Sequence, residues 1–422
     1  MTADALPRFT RVRQKFPPPA SVNIEEALRR EFERVRPRVK PGSRIAVAVG
    51  SRGIANLDRL IAAVIEELCR AGAAPFIVPA MGSHGGATPE GQVRLLADYG
   101  VTEERMGAPI RAAMDTQRLG ATADGVEVLW STEAARADGV VVVNRVKPHT
   151  DFRSENLGSG LLKMMVVGLG KQAGAANFHA AAMRLGYERV LSTAAKVALA
   201  NAPVLCGVAV VENQFHDTAR LETLLPHEIE SREPELFREA RQLMPRLPFD
   251  DIDLLIVDRL GKNISGAGMD PNVTGRGIHG YSASLGEPTA RPVVRRLFVR
   301  DLTPESHGNA VGVGLADFTT TRLVRAMDER VTFMNALTAL SLQSVKVPIH
   351  FESDRECLLR ALESLAIADP RQAKVAHIAD TLSLERVQAS EAYSEEIRRR
   401  ADLELEGNLE EMRFDAAGNL AE

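Results

Sequence analysis

Between Ser159 and His179 the chain reads SGLLKMMVVGLGKQAGAANFH, with Lys163 near its head and His179 at its end. The residues between them are apolar or glycine-rich, apart from a few polar ones near the end. A strand-like run and a glycine turn are therefore expected to hold an amine and an imidazole apart. Two further histidines stand in loops that suit chemistry. VPAMGSHGGATPEGQ sets His84 among glycines, after an expected strand and before a helix that Thr88 caps and Pro89 opens. Glycines let backbone approach a ligand closely and add nothing to a core, so His84 reads as functional. NRVKPHTDF places Asn144, Arg145, Lys147 and His149 just beyond the apolar run Val140–Val143, with Pro148 fixing the backbone. Arg52, in Gly50-Ser51-Arg52-Gly53, follows the run Ile45–Val49. A guanidinium there suits a carboxylate or phosphate, and an internal salt bridge suits it equally.

Elements that could position these groups are legible around them. SRIAVAVGSRGIANLDRLIAAVIEELCRAGAAPFIVPA is a βαβ unit, with Gly72 as the helix stop and Pro75–Val78 as the second strand. Its turn lies at the carboxyl end of a parallel strand, where open α/β sheets bind ligands. DGVVVVNRVKPH and PVLCGVAVVEN repeat the grammar, and such continuous Val/Ile/Leu runs imply strands buried on both faces. RFTRVRQKF reads as a strand and NIEEALRREFERVRPRV as a helix capped by Asn23. Two prolines in LMPRLPFDDID precede a fresh strand, DLLIVDRLG. The expected domains are therefore 1–248, carrying the polar loops, and 249–422, a second α/β domain. AVGVGLADFTTTRLVRAM reads as strand, turn and helix with Asp317 and the threonines as caps, and SEEIRRRADLELEGNLEEM as a charged helix.

Composition narrows the class. The 422 residues are 45% hydrophobic and 26% charged with a net charge of −4, which supplies no basic field for nucleic acid. No apolar run reaches membrane length and no signal peptide is seen, so the expectation is cytoplasmic with no membrane partner. Cys69, Cys206 and Cys357 are scattered and include no CxxC, which excludes a zinc ribbon or disulfide framework. Cys69 is expected inside a helix core. GLGKQA lacks the acidic partner of a dinucleotide fold, and GLGKQ lacks the first glycine and the Ser/Thr of a phosphate loop.

In order, Gly-Ser-Arg (Arg52), Gly-Ser-His-Gly (His84), Lys-Pro-His (His149), Lys163 and His179 resemble the lactate racemase family. GKNISGAGMDPNVTGR and GNAVGVGLADFTTTR resemble second-domain signatures of its wider homologue group. The resemblance implies two α/β domains with parallel-rich sheets and a site in the cleft between them. It implies a nickel-pincer nucleotide, a pyridinium mononucleotide whose two sulfur-bearing arms clamp nickel. His179 would be the protein's nickel ligand, with Lys163 holding a cofactor arm covalently or by charge and Ser51 beside the cofactor. Soft sulfur donors plus one imidazole in a planar site suit Ni(II). His84 and His149 would be the acid/base pair, Arg52 would orient the substrate carboxylate, and Lys262 would approach the substrate from the second domain. The implied activity is racemisation or epimerisation at C2 of a 2-hydroxy acid by hydride transfer, with the cofactor's biosynthetic enzymes as suppliers. Asn263, Ser265, Asn272 and Thr274 crowd the second-domain segment with hydrogen-bonding groups, which suits a hydroxylated substrate such as an aldonate. A non-catalytic carrier of the nickel nucleotide and a 2-hydroxy acid dehydrogenase or dehydratase are the alternatives, and the oligomeric state, a homo-oligomer included, stays open.

Overall fold

A computed structural model describes residues 6–16, 22–50, 54–150, 154–277 and 292–421. The chain divides into two units, one of residues 19–244 and one of residues 1–18 with 245–422. The fold is mixed α/β, with a parallel-rich sheet in each unit.

The first strand, β1 (Phe9–Gln14), belongs to the second unit, although the sequence reading puts it in the first domain. The unit of residues 19–244 holds β2 (Arg44–Val49), β3 (Ala74–Pro79), the hairpin β4 (Thr116–Ala121) and β5 (Glu127–Ser131), β6 (Gly139–Arg145), β7 (Val204–Glu212) and β8 (Thr218–Leu224). Its main sheet runs β3-β2-β6-β7-β8, parallel except for the last pair. Valine-rich runs fill it because both faces are covered. Ala46, Ala48, Val140 and Val142 enter one core and Ile45, Val47, Val49, Val141 and Val143 the other. The helices are α1 (Ile24–Phe32), α2 (Leu57–Arg70), α3 (Pro89–Asp98), α4 (Glu103–Met106), α5 (Thr132–Ala135), α6 (Leu161–Lys163), α7 (Lys171–Leu185), α8 (Tyr187–Asn201) and α9 (Pro226–Leu243). Residues of α1 and α2 join the second core, while α6 to α9 contribute to the first around Trp130. Asn23 caps α1 through the Glu26 N–H at 3.1 Å, as its position suggests. Cys69 lies on the exposed side of α2 rather than in its core.

The other unit carries an eight-stranded sheet of β9 (Asp251–Leu260), β10 (Val293–Leu302), β11 (Phe318–Thr320), β12 (Ile349–Phe351), β13 (Val375–Ile378), β14 (Arg386–Ser390), β15 (Leu403–Leu405) and β1. Strands β12-β11-β10-β9-β13 are parallel, and β14, β1 and β15 continue antiparallel. Two local expectations change here. The charged tail is helical only over Ser394–Arg399 and then becomes β15, because Val12 to Gln14 offer it an edge to pair with. Thr320 caps the helix at Thr321–Ala326, whereas Asp317 instead pairs with Arg276 and accepts the Leu297 N–H at 2.8 Å.

Candidate active site

Because β2, β3, β6 and β7 are parallel, the loops that follow them leave one edge of the sheet. Three of those loops meet the segment between Lys163 and His179. That segment is helical, not the expected strand: α6 runs into a π-helical turn at Met164–Gly168 and then into α7. A short apolar run cannot distinguish a strand from a buried helix by pattern alone, and here tertiary contacts decide. The Leu169 N–H reaches back to the Met164 carbonyl at 2.9 Å, five residues away. The turn is braced by the hairpin. Trp130, fully buried, donates its indole N–H to the Met165 carbonyl at 2.5 Å, and the Ser131 N–H bonds the Leu169 carbonyl at 2.6 Å. Such π turns recur at functional sites.

Each loop has its own tie to this segment. Gly50, at the end of β2, passes so close that a side chain there would stand 2.8 Å from the Met164 methyl group. The Gly82 N–H bonds the Gly168 carbonyl at 3.1 Å, anchoring the loop of His84. Lys147 and Ser159 exchange two backbone hydrogen bonds of 2.8 Å, closing the loop of His149 onto the start of α6. Asn144 donates to the Gly160 carbonyl at 2.7 Å. Below that point the buried Glu233 of α9 accepts the Leu162 N–H at 3.1 Å, a carboxylate at the open amide end of the helix that carries Lys163. Burial outweighs those hydrogen bonds and pushes the Glu233 carboxyl up to about 7.

The structure brings His149 and Lys163 together. The Lys163 ammonium meets Nε2 of His149, a residue only 4% exposed, and the Tyr187 hydroxyl lies 3.2 Å from the same nitrogen. Tyr187 also lies 4.9 Å, ring to ring, from both His149 and Phe178, and the Phe178 ring is 5.5 Å from that of His179. A continuous chain of rings therefore leads from the Lys163–His149 pair to the half-buried His179 on α7. The sequence reading missed Tyr187, whose only signal was the Gly186 break between α7 and α8 that sets it at a helix start. His84 is exposed on its loop beyond β3. Thr88 accepts the Gly91 N–H at 3.1 Å and Pro89 occupies the first helical position, as expected. Arg52 and Ser51 lie outside the described residues. Glu212 stands beside that loop's exit: it accepts the Ala55 N–H at 2.7 Å and pairs with Arg145. Lys262 lies in the other unit, where its ammonium bonds the Gly266 carbonyl at 2.6 Å and its N–H bonds Ser306 Oγ at 2.9 Å.

Among the described residues no group of three or more His, Cys, Asp or Glu side chains is placed to hold a metal ion. No helix of the described residues is long and apolar enough to cross a membrane.

The lactate racemase N-terminal domain family matches residues 11–188, a span that includes His84, His149, Lys163, His179 and Tyr187. The chain is similar in fold to the lactate racemase apoprotein from Thermoanaerobacterium thermosaccharolyticum. The TM-score is 0.54 at 15% identity, over 91% of this chain and 95% of that one. A structural-genomics protein from Thermotoga maritima is more distant, with a TM-score of 0.47 at 12% identity over 65% of this chain and 70% of that one. No curated protein matches the sequence. Residues 11–188 thus match the lactate racemase N-terminal domain family, and the chain shares its fold with a lactate racemase apoprotein.

Proposed function

We propose that this protein inverts C2 of a 2-hydroxy acid with the help of a nickel-pincer nucleotide. The family supports racemase or epimerase chemistry in general and uses such a cofactor. The single observation that carries the reading is the braced helical segment bearing Lys163 at one end and His179 at the other, with His149 held against Lys163.

The donor set fits the cofactor. His179 offers one imidazole, whereas Cys206 and Cys357 are buried and Cys69 lies on α2, so sulfur ligands for nickel must come with the cofactor. Lys163 would hold a cofactor arm, by charge or by a covalent bond, and His179 the metal. Bound there, the group supplies an acceptor for the C2 hydride. The chain's own residues then handle protons and orientation. His149 would take the proton of the 2-hydroxyl for one enantiomer, and His84 would do so for the other. An imidazole with an ordinary pKa of about 6.5 serves in both directions near neutral pH. Tyr187 holds the His149 ring through both a hydroxyl contact and ring packing. Arg52 would orient the carboxylate and Ser51 would adjoin the cofactor. Lys262, with the polar groups of Asn263 and Asn272, would favour a hydroxylated substrate such as an aldonate over lactate, whereas Ser265 and Thr274 of the same segment are buried.

The test uses protein produced together with the cofactor's biosynthetic enzymes and supplied with single enantiomers of lactate and of C2-epimeric aldonates. Chiral chromatography should show inversion at C2 only, with deuterium placed at C2 retained in the product. Complete washout of that deuterium would replace the hydride route with proton abstraction. Cofactor-loaded protein that inverts none of these acids would favour a carrier.

A further inference from the structure

A second buried network, unused so far, lies beneath the loop of His84. Lys171, the first residue of α7, is fully buried and has a left-handed backbone with φ of 53°, an unfavourable choice for a lysine. Its ammonium donates to the Pro79 carbonyl at 2.7 Å and to Oε1 of Gln92 at 3.1 Å. Gln92, also fully buried, donates from Nε2 to the Gly82 carbonyl at 3.0 Å and to the His84 carbonyl at 3.3 Å. The lysine thereby selects the orientation of the amide, because only Oε1 can accept from an ammonium and Nε2 is left to face the loop. The loop needs such fastening. It turns through Gly82, Gly85, Gly86 and Ala87, all at positive φ, and sits so close to α3 that a side chain at Gly91 would meet the Gly85 carbonyl oxygen at 1.8 Å.

An ammonium placed wholly inside a protein is costly unless paired, and among the described residues no carboxylate bonds this one. Burial accordingly lowers the Lys171 pKa to about 8. A packing role would be met more cheaply by leucine or methionine. What an apolar side chain cannot do is orient Gln92 and tie the carboxyl end of β3 to both α7 and the His84 backbone.

We propose that Lys171 and Gln92 are positioning residues that fix His84 relative to the helical segment bearing Lys163 and His179. The proposal rests on the reading of His84 as an acid/base group, and its primary test needs no turnover. Hydrogen exchange and side-chain imidazole NMR would be recorded on the full chain without cofactor, for wild type, Gln92→Leu, Gln92→Glu and Lys171→Met. In Gln92→Leu and Lys171→Met, amides of residues 82–88 should exchange at least tenfold faster and the His84 ring signal should move, while β2 and β6 keep their protection. Gln92→Glu retains the acceptor for Lys171 but loses the donor to the loop, so it should move the His84 signal too. Unchanged exchange and an unchanged His84 signal in folded Gln92→Leu would overturn the proposal, as would equal loss of protection in β2 and β6. In cofactor-loaded protein that inverts its substrate, Gln92→Leu should lower kcat about tenfold or more with KM little changed; an unaltered kcat would also overturn it. Wild-type protein without racemase activity would sink the functional reading and leave the exchange and NMR results standing.

Discussion

The residues that matter most are those whose neighbours constrain a proton. His149 meets both Lys163 and Tyr187 at one ring nitrogen. Tyr187→Phe removes the hydroxyl and keeps the ring packing. A lost hydrogen bond of about 1.5 kcal/mol corresponds to roughly tenfold in rate, so loaded Tyr187→Phe should lose about that much kcat. The His149 ring nitrogen shifts should change with it, and an unaltered spectrum would deny Tyr187 the role. Glu233 makes a second prediction. Unfolded, its carboxyl loses its proton near the ordinary 4.5, whereas folded it keeps it to about 7. Between those values only the native state holds the proton, so this group's contribution is full below 4.5 and is lost as pH rises through about 7. Glu233→Gln should therefore flatten the fall in stability between pH 5 and 8 by on the order of 3 kcal/mol, measured by urea unfolding. An identical slope in the two proteins would mean that Glu233 is ionised throughout. His84 and His149 were legible as residue types in loops, and Lys163 and His179 as residue types at the two ends of an apolar segment. Tyr187 and Glu233 were not, because each reaches the site from an element well along the chain, and Gln92, though only eight residues past His84, shows no local motif.

At the scale of elements, the site depends on a helix that departs from regular geometry. Trp130 satisfies a carbonyl on the π turn from a separate hairpin. Trp130→Phe keeps most of the apolar contact and leaves that carbonyl buried without its donor, at a cost of about 1–3 kcal/mol. Protection of the Met164–Gly168 amides should fall more than that of β6 in exchange experiments; uniform loss would make Trp130 an ordinary core residue. The βαβ unit and the strands at Val140 and Val204 could be read from their Val/Ile runs, because a strand buried on both faces has few other compositions. The segment after Gly160 could not. Leu161 to Val167 is too short for helical periodicity to stand out, and its form comes from Glu233, Trp130 and the packing of Leu161 and Met165 in the core.

For the molecule as a whole, chain order and spatial order diverge at the N-terminus. β1 pairs with β14 over Phe9–Arg13 and with β15 over Val12–Gln14, inside the sheet of the second unit. Sequence proximity suggested the first domain, since an alternating strand carries no information about a partner nearly 400 residues away. Removing residues 1–16 should leave β15 without its partner strand and β14 paired only with β13, and so speed amide exchange in both, while β2, β3 and β6 retain their protection. Loss of protection in β2 instead would contradict the division of the chain. The central claim concerns the cofactor that the unit of residues 19–244 would hold. The most direct test is nickel content together with intact and denatured mass, on protein made alongside the cofactor's biosynthetic enzymes. The account predicts about one nickel per chain and a nucleotide-sized species, either attached at Lys163 or released on denaturation, both lost in His179→Ala with Lys163→Ala. Protein free of nickel and nucleotide, from a host in which lactate racemase is loaded, would contradict it.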